Sequence, residues 1–169
     1  MKVEKNMKLK SVYLETSIFS YLTARPSRDL QASAWQQATL QWWKHALPLY
    51  EVFISEIVVA EASGGDPEAV KRRLKAISQF PELPLDRTAE KLASQLIAEG
   101  GFPEKAEVDA LHVAIATVHE VDFFLTWNCR HINNAETKPI IRTICLKAGY
   151  QCPEICTPQE LLPEEKSDV

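Results

Sequence analysis

Short runs of β-branched, aromatic and aliphatic residues recur along this chain, each followed by a stretch with helical spacing. Residues 11–14, 50–55 and 121–126 have the composition of strands, and shorter candidates stand at 83–85 and 155–156. Helices are expected over 18–22, 29–46, 56–62, 66–78, 88–98, 103–119 and 138–148. Thr16 or Ser17 would cap the first, while Asp66-Pro67 and Asp86 open later ones. Gly64-Gly65, Gly100-Gly101 and Gly149 are the expected stops. In the second helix, Leu30, Ala34, Ala38, Gln41 and Trp42 supply the three-and-four spacing of an inward face, and Trp42 and Trp43 suit helix packing or a dimer surface. Thr157-Pro158-Gln159-Glu160 has the form of a capping box that opens a brief terminal helix. Strands that alternate with helices run in one direction and need cover on both faces. The expected class is therefore α/β, a mostly parallel sheet between two helical layers.

A chain of 169 residues, 46% apolar and 25% charged, supports one domain with a substantial core. That domain is expected at 11–162, between a flexible N-terminal segment at 1–10 and a polar tail at 163–169. The net charge of −4 argues against tight nonspecific binding of nucleic acid. It does not argue against an enzyme that brings a phosphate backbone to bound cations, because the cations carry local positive charge. No apolar run approaches the ~20 residues that span a bilayer, and the first residues lack the apolar core of a secretory signal, so a cytoplasmic location is expected. Cys129, Cys145, Cys152 and Cys156 lack the paired spacing of a zinc site and suit reduced thiols.

Four separated segments then place a carboxylate or amide near a strand-to-helix junction: Glu15 after the first strand, Glu61 a turn or two past the second, Asp109 early in the alanine-rich helix and Asn128 after the 121–126 strand. In an open parallel sheet such positions gather at the carboxyl edge. Clustered carboxylates repel one another, so a cluster of this kind makes sense as a site for a hard divalent cation, and such a site suits metal-assisted cleavage of a phosphodiester. Each residue also has an ordinary reading. Glu15 is placed to cap the next helix, Glu61 to sit in solvent, and His112 to be a hydrogen-bonded core histidine that otherwise orients a carboxylate. Glu56 is the rival to Glu61, and Arg130, His131, Asn133 and Asn134 form a polar group beside Asn128 that suits phosphate.

Tyr13-Leu14-Glu15-Thr16-Ser17, the segment from Ser55 to Glu61, Asp109-Ala110-Leu111-His112-Val113-Ala114 and Leu125-Thr126-Trp127-Asn128 resemble the sequence blocks of PIN domains, in particular the VapC-like toxin nucleases of type II toxin–antitoxin pairs. The resemblance spans residues 11–162. It implies a three-layer α/β/α sandwich, Mg²⁺ or Mn²⁺ as cofactor, and hydrolysis of RNA. It places the family's acidic positions on Glu15, where aspartate is usual, on Glu61 and on Asp109, with Asn128 standing where a fourth acid is usual. Glu15, Glu61 and Asp109 are then the metal ligands, with Ser17, Thr126, His112 and His131 in support. The expected partners are an RNA substrate, a cognate antitoxin and a second copy in a homodimer. The uncharged Asn128 keeps open a degenerate PIN-like module that binds RNA or protein without cleaving. A flavodoxin-like receiver is disfavoured, because Lys138 follows no strand.

Overall fold

The apolar run at the start of the chain becomes the central strand of a five-stranded parallel sheet. The computed structural model describes residues 8–163, so the expectations for 1–7 and 164–169 lie outside the described residues. The strands are β1 (Lys10–Leu14), β2 (Tyr50–Ser55), β3 (Glu82–Leu83), β4 (Phe123–Leu125) and β5 (Glu154–Cys156), in the order β3-β2-β1-β4-β5. All neighbouring pairs are parallel. The helices are α1 (Thr16–Thr23), α2 (Leu30–His45), α3 (Glu56–Ala62), α4 (Pro67–Ile77), α5 (Arg87–Ala98), α6 (Glu107–Val118) and α7 (Lys138–Lys147).

Topology assigns the layers. The chain steps one way from β1 through β2 to β3, then crosses to β4 and steps the other way to β5. Right-handed crossovers put α1–α4 on one face and α5–α7 on the other. The packing agrees: α1 lies against α2, α3 and α4, and α5 lies against α6 and α7. The result is the three-layer α/β/α sandwich. Covered on both faces, β1 buries Val12, Tyr13 and Leu14 completely, which is why it reads as an unbroken apolar run. At the turn after α5, a Cβ on Gly101 would stand 3.0 Å from the Leu96 carbonyl oxygen and 3.2 Å from Ile144 Cδ1, so glycine there lets α5 and α7 close together.

Four local expectations need correction. The helix expected over 103–119 is interrupted: Glu104–Ala106 forms a 3₁₀ turn, Ala106 leaves helical geometry at φ −107° and ψ 33°, and α6 begins at Glu107. The strand expected over 121–126 pairs only through Phe123–Leu125, and that at 83–85 is Glu82–Leu83. The inward face of α2 was right at Ala38 and Trp42 and misplaced elsewhere. Leu30 is 87% exposed, and Ala34 and Gln41 also face solvent, whereas Gln36, Thr39 and Trp42 are buried. Apolar spacing could not find this face, because two of its members are polar and are buried with partners. Gln36 bonds the Arg25 carbonyl and the Ser27 N–H, each at 2.9 Å, and Thr39 Oγ1 accepts from Trp127 Nε1 at 2.8 Å.

Trp42 is fully buried, yet its Nε1–H has no partner among the described residues. Trp42→Phe removes that unsatisfied donor along with some packing, so it should cost no more than about 1 kcal/mol, while Trp42→Ala should cost about 3–5 kcal/mol. Denaturant unfolding of the two variants checks the contrast.

Candidate metal centre

β1 ends at Leu14, and the backbone of the next residue holds to the sheet: Glu15 N–H donates to the Leu125 carbonyl at 3.1 Å. This fixes Glu15 at the carboxyl ends of β1 and β4, where the direction of the strand order reverses and open α/β sheets place their sites. Glu15 itself, not Thr16 or Ser17, caps α1, its Oε1 accepting the Ser17 N–H at 3.1 Å. The residue is only 6% exposed. Its other oxygen, Oε2, accepts from Ser17 Oγ and from Thr126 Oγ1, the latter at 2.7 Å. The direction of these bonds is determined. Ser17 Oγ also accepts the Trp127 N–H and Thr126 Oγ1 the Asn128 N–H, each at 2.9 Å. A backbone N–H can only donate, so each hydroxyl must send its own proton to the carboxylate.

Glu61, on the last turn of α3, is 39% exposed. Its Oε1 accepts from Thr16 Oγ1 at 2.6 Å and lies 2.6 Å from His112 Nε2. His112 is fully buried on α6, with Nδ1 2.6 Å from the Tyr13 hydroxyl, which is in turn 2.6 Å from Ser55 Oγ. Burial pushes the Tyr13 phenol well above its ordinary pKa, so it keeps its proton. A Tyr13 hydroxyl that donates to Nδ1 assigns the His112 proton to Nε2, aimed at Glu61. His112 is thus a core histidine with both nitrogens satisfied and, through one of them, a group that orients a carboxylate. Burial acts to raise the Glu61 pKa, but the bonds from His112 and Thr16 outweigh it and the carboxyl titrates below its ordinary value. Two donors occupy Oε1, which leaves Oε2 free to meet an ion.

Asp109, in the first turn of α6, accepts from Asn128 Nδ2 at 3.2 Å. Burial first, and then the negative charge of Glu15, push its pKa up. Asn128 therefore stands beside the third acid, but its Oδ1 accepts the His131 N–H at 3.0 Å and holds the loop rather than facing the acids. Glu56 is exposed, as is Glu107, and neither belongs to the acidic group.

Among the described residues one group could hold a metal ion: ligand atoms of Glu15, Glu61 and His112 lie within 4.8 Å of one another. Because both His112 nitrogens are engaged, the carboxylates are the available donors, with Asp109 close enough to Glu15 for their charges to interact. An all-carboxylate set with like charges in a partly buried place fits a hard divalent cation such as Mg²⁺ or Mn²⁺. The sequence brought Glu15, Glu61, Asp109 and Asn128 into view, but not Tyr13 and Ser55, whose only signal is a polar group at the end of an otherwise apolar strand. The four cysteines are free and three of them are buried. No helix among the described residues is long and apolar enough to cross a membrane.

The sequence model of the PIN domain matches residues 12–135. No curated protein sequence matches the chain. Several solved structures share the fold, among them these three. FitAcB from Neisseria gonorrhoeae is 19% identical with a TM-score of 0.57, over 89% of this chain and 99% of that one. VapBC2 from Rickettsia felis, bound to a DNA fragment from their promoter, is 13% identical with a TM-score of 0.55, over 86% and 97%. VapC20 from Mycobacterium tuberculosis, a Sarcin-Ricin loop cleaving toxin, is 19% identical with a TM-score of 0.50, over 68% and 87%. At these identities the likeness is one of fold.

Two outcomes follow from the geometry. Tyr13→Phe keeps the ring stacked on Phe124 but leaves His112 Nδ1 and Ser55 Oγ unpartnered in the core, so it should cost about 1–3 kcal/mol in denaturant unfolding. Asp109 holds its proton more tightly folded than unfolded, so its contribution to stability is present below its ordinary pKa and is lost as pH rises through the raised one. Metal-free Asp109→Asn should therefore melt above the wild type at pH 7, and thermal unfolding at falling pH should show the gap closing once Asp109 is protonated.

Proposed function

Since the chain belongs to the PIN domain family, we propose that it is a metal-dependent endoribonuclease of the VapC-like branch, the toxin of a toxin–antitoxin pair. One observation carries the reading: Glu15 and Glu61, from the end of β1 and from α3, come together at the carboxyl edge of the sheet with Asp109 of α6 near enough to Glu15 for their charges to interact, and the most buried of them accepts three hydrogen bonds. When bound, Mg²⁺ or Mn²⁺ would supply charge neutralisation and polarisation at a phosphodiester. Glu15, Glu61 and Asp109 would hold the ion and are the residues assigned to catalysis, with Asn128 beside them. Ser17 and Thr126 fix the Glu15 carboxylate, and His112 with Thr16 fixes one oxygen of Glu61 and presents the other. His131, whose backbone N–H binds Asn128, would meet substrate phosphate. A cognate antitoxin and a second copy of the chain are the proposed protein partners, in a cytoplasmic setting.

The engaged oxygen of Asn128 favours a second reading, a PIN-like module that binds RNA or protein without cleaving. Cleavage assays separate the two. With Mn²⁺ and a single-stranded RNA substrate, Glu61→Gln and Asp109→Asn should each lose at least about 100-fold in rate, the scale of a well-placed electrostatic group, while Glu56→Gln stays near wild type. Wild-type protein inert toward RNA under these conditions would support the binding module, and equal losses in Glu56→Gln and Glu61→Gln would remove Glu61 from the site.

A further inference from the structure

Opposite the acidic centre, at the amino edge of the sheet, the chain leaves α7 and turns back toward β5 with two cysteines in the turn. α7 stops in a glycine-based reversal: Gly149 takes φ 89°, its N–H donates to the Leu146 carbonyl at 3.0 Å, and Tyr150 N–H donates to the Cys145 carbonyl at 2.9 Å. Residues 150–154 are thereby laid back along the helix they have just left. Two bonds bracket Cys152 against that helix. Tyr150, two residues before it, is tied to Cys145, and Glu154, two residues after it, accepts from Arg142 Nη2 at 2.8 Å. Arg142 and Cys145 are neighbours on one helix face, so Cys152 passes beside Cys145. Arg142, Leu146, Tyr150, Cys152 and Glu154 line one cavity of about 140 Å³.

The two thiols act on one another. The bond between them first, and then burial, hold the Cys152 proton well above the ordinary thiol range, while the same bond lowers the Cys145 thiol. Cys145 is fully buried, with Thr117 Oγ1 3.9 Å from its sulfur, whereas Cys152 is 8% exposed. Cys152 also lines a second cleft of about 350 Å³ with Lys10, Asp122 and Gln151, which gives its sulfur a way to solvent. The pair is not a metal site, because the one candidate metal group among the described residues is Glu15, Glu61 and His112. The other cysteines stand apart. Burial first, then Glu160 and Glu154, push Cys156 up to about 12, and Cys129 is exposed.

We propose that Cys145 and Cys152 form a reversible oxidation site, a dithiol that a hydroperoxide converts to a disulfide clasping the end of α7 to the approach to β5. Loss of one proton from the pair leaves a thiolate that the adjacent sulfurs share, and Cys152 presents it to the cleft. The thiolate attacks the O–O bond of the hydroperoxide. Cys152 becomes a sulfenic acid, and the departing hydroxide or alkoxide takes up the lost proton as water or alcohol. The Cys145 sulfur then attacks Cys152 Sγ, the S–O bond breaks, and the Cys145 proton leaves with the hydroxide as water. Two electrons have passed from sulfur to the peroxide, and two molecules of a small thiol return them, leaving as their own disulfide. The inference is independent of the ribonuclease reading.

The test treats the reduced full-length chain with hydrogen peroxide, blocks the remaining thiols with iodoacetamide after unfolding, and maps the peptides by mass spectrometry. A Cys145–Cys152 cross-linked peptide should appear, the alkylated thiols should fall from four to two, and glutathione should restore them. In Cys145→Ala the cross-link is lost and a sulfenic-acid probe should mark Cys152, while in Cys152→Ala the buried Cys145 should stay reduced. Cys129→Ser, which removes the exposed thiol, should leave the cross-link unchanged. The oxidised wild type should melt no lower than the reduced protein, since the fold already holds the two residues together. The wild-type measurements stand whether or not either alanine variant folds. Cys145 and Cys152 both alkylated under conditions that oxidise Cys129, or a cross-link that joins other cysteines, overturns the proposal. So does a fall in melting temperature on oxidation, because the sulfurs would then meet only after α7 and β5 have separated.

Discussion

Burial of the Glu15 carboxylate is the constraint around which the carboxyl edge of the sheet is organised. An ionised carboxylate taken out of water is costly unless donors replace the water it loses. Here the donors come from three places: the first turn of α1, the hydroxyl of Ser17 and the hydroxyl of Thr126 at the end of β4. Each hydroxyl is oriented by a backbone N–H of the 126–128 loop. The same few bonds thus cap a helix, tie β1 to β4 and hold the loop that presents Trp127 and Asn128. A neutral side chain at position 15 would leave those protons without an anionic acceptor.

A second chain of hydrogen bonds works from the other side of the cleft. Ser55, Tyr13 and His112 run from the end of β2 through β1 to α6 and finish on one oxygen of Glu61. The second network occupies one oxygen of Glu61 and leaves Oε2 free, while the first engages both oxygens of Glu15. Asp109 adds to the crowding, its pKa pushed up by burial and by the charge of Glu15. Like charges held this close favour a cation between them, and that electrostatic condition links the fold to the proposed chemistry.

Much of this was legible in the sequence because the signals were local. Strand composition, caps such as Asp66-Pro67 and Asp86, and the glycine stops located most elements, and alternation implied the parallel sheet that the structure shows. The acids were legible because strand ends in such a sheet converge by topology. What escaped depended on partners distant in the chain. Gln36 and Thr39 turn to the interior only because a loop carbonyl and the Trp127 indole await them, so an apolar pattern pointed to Leu30, Ala34 and Gln41 instead. Tyr13 was legible as strand, but not as the link between Ser55 and His112, residues 42 and 99 positions away. Asn128 was placed beside the acids without the orientation of its amide, which a bond to His131 decides.

The central claim is that Glu15, Glu61 and Asp109 together hold a divalent cation. The most direct measurement is the anomalous difference density of crystals soaked in Mn²⁺. The account predicts a peak bounded by carboxylate oxygens of these three residues, with Oε2 of Glu61 among its ligands and His112 Nε2 still bonded to Oε1. A map with no peak there at saturating Mn²⁺, or with His112 turned to ligate the ion in place of Glu61, would contradict it.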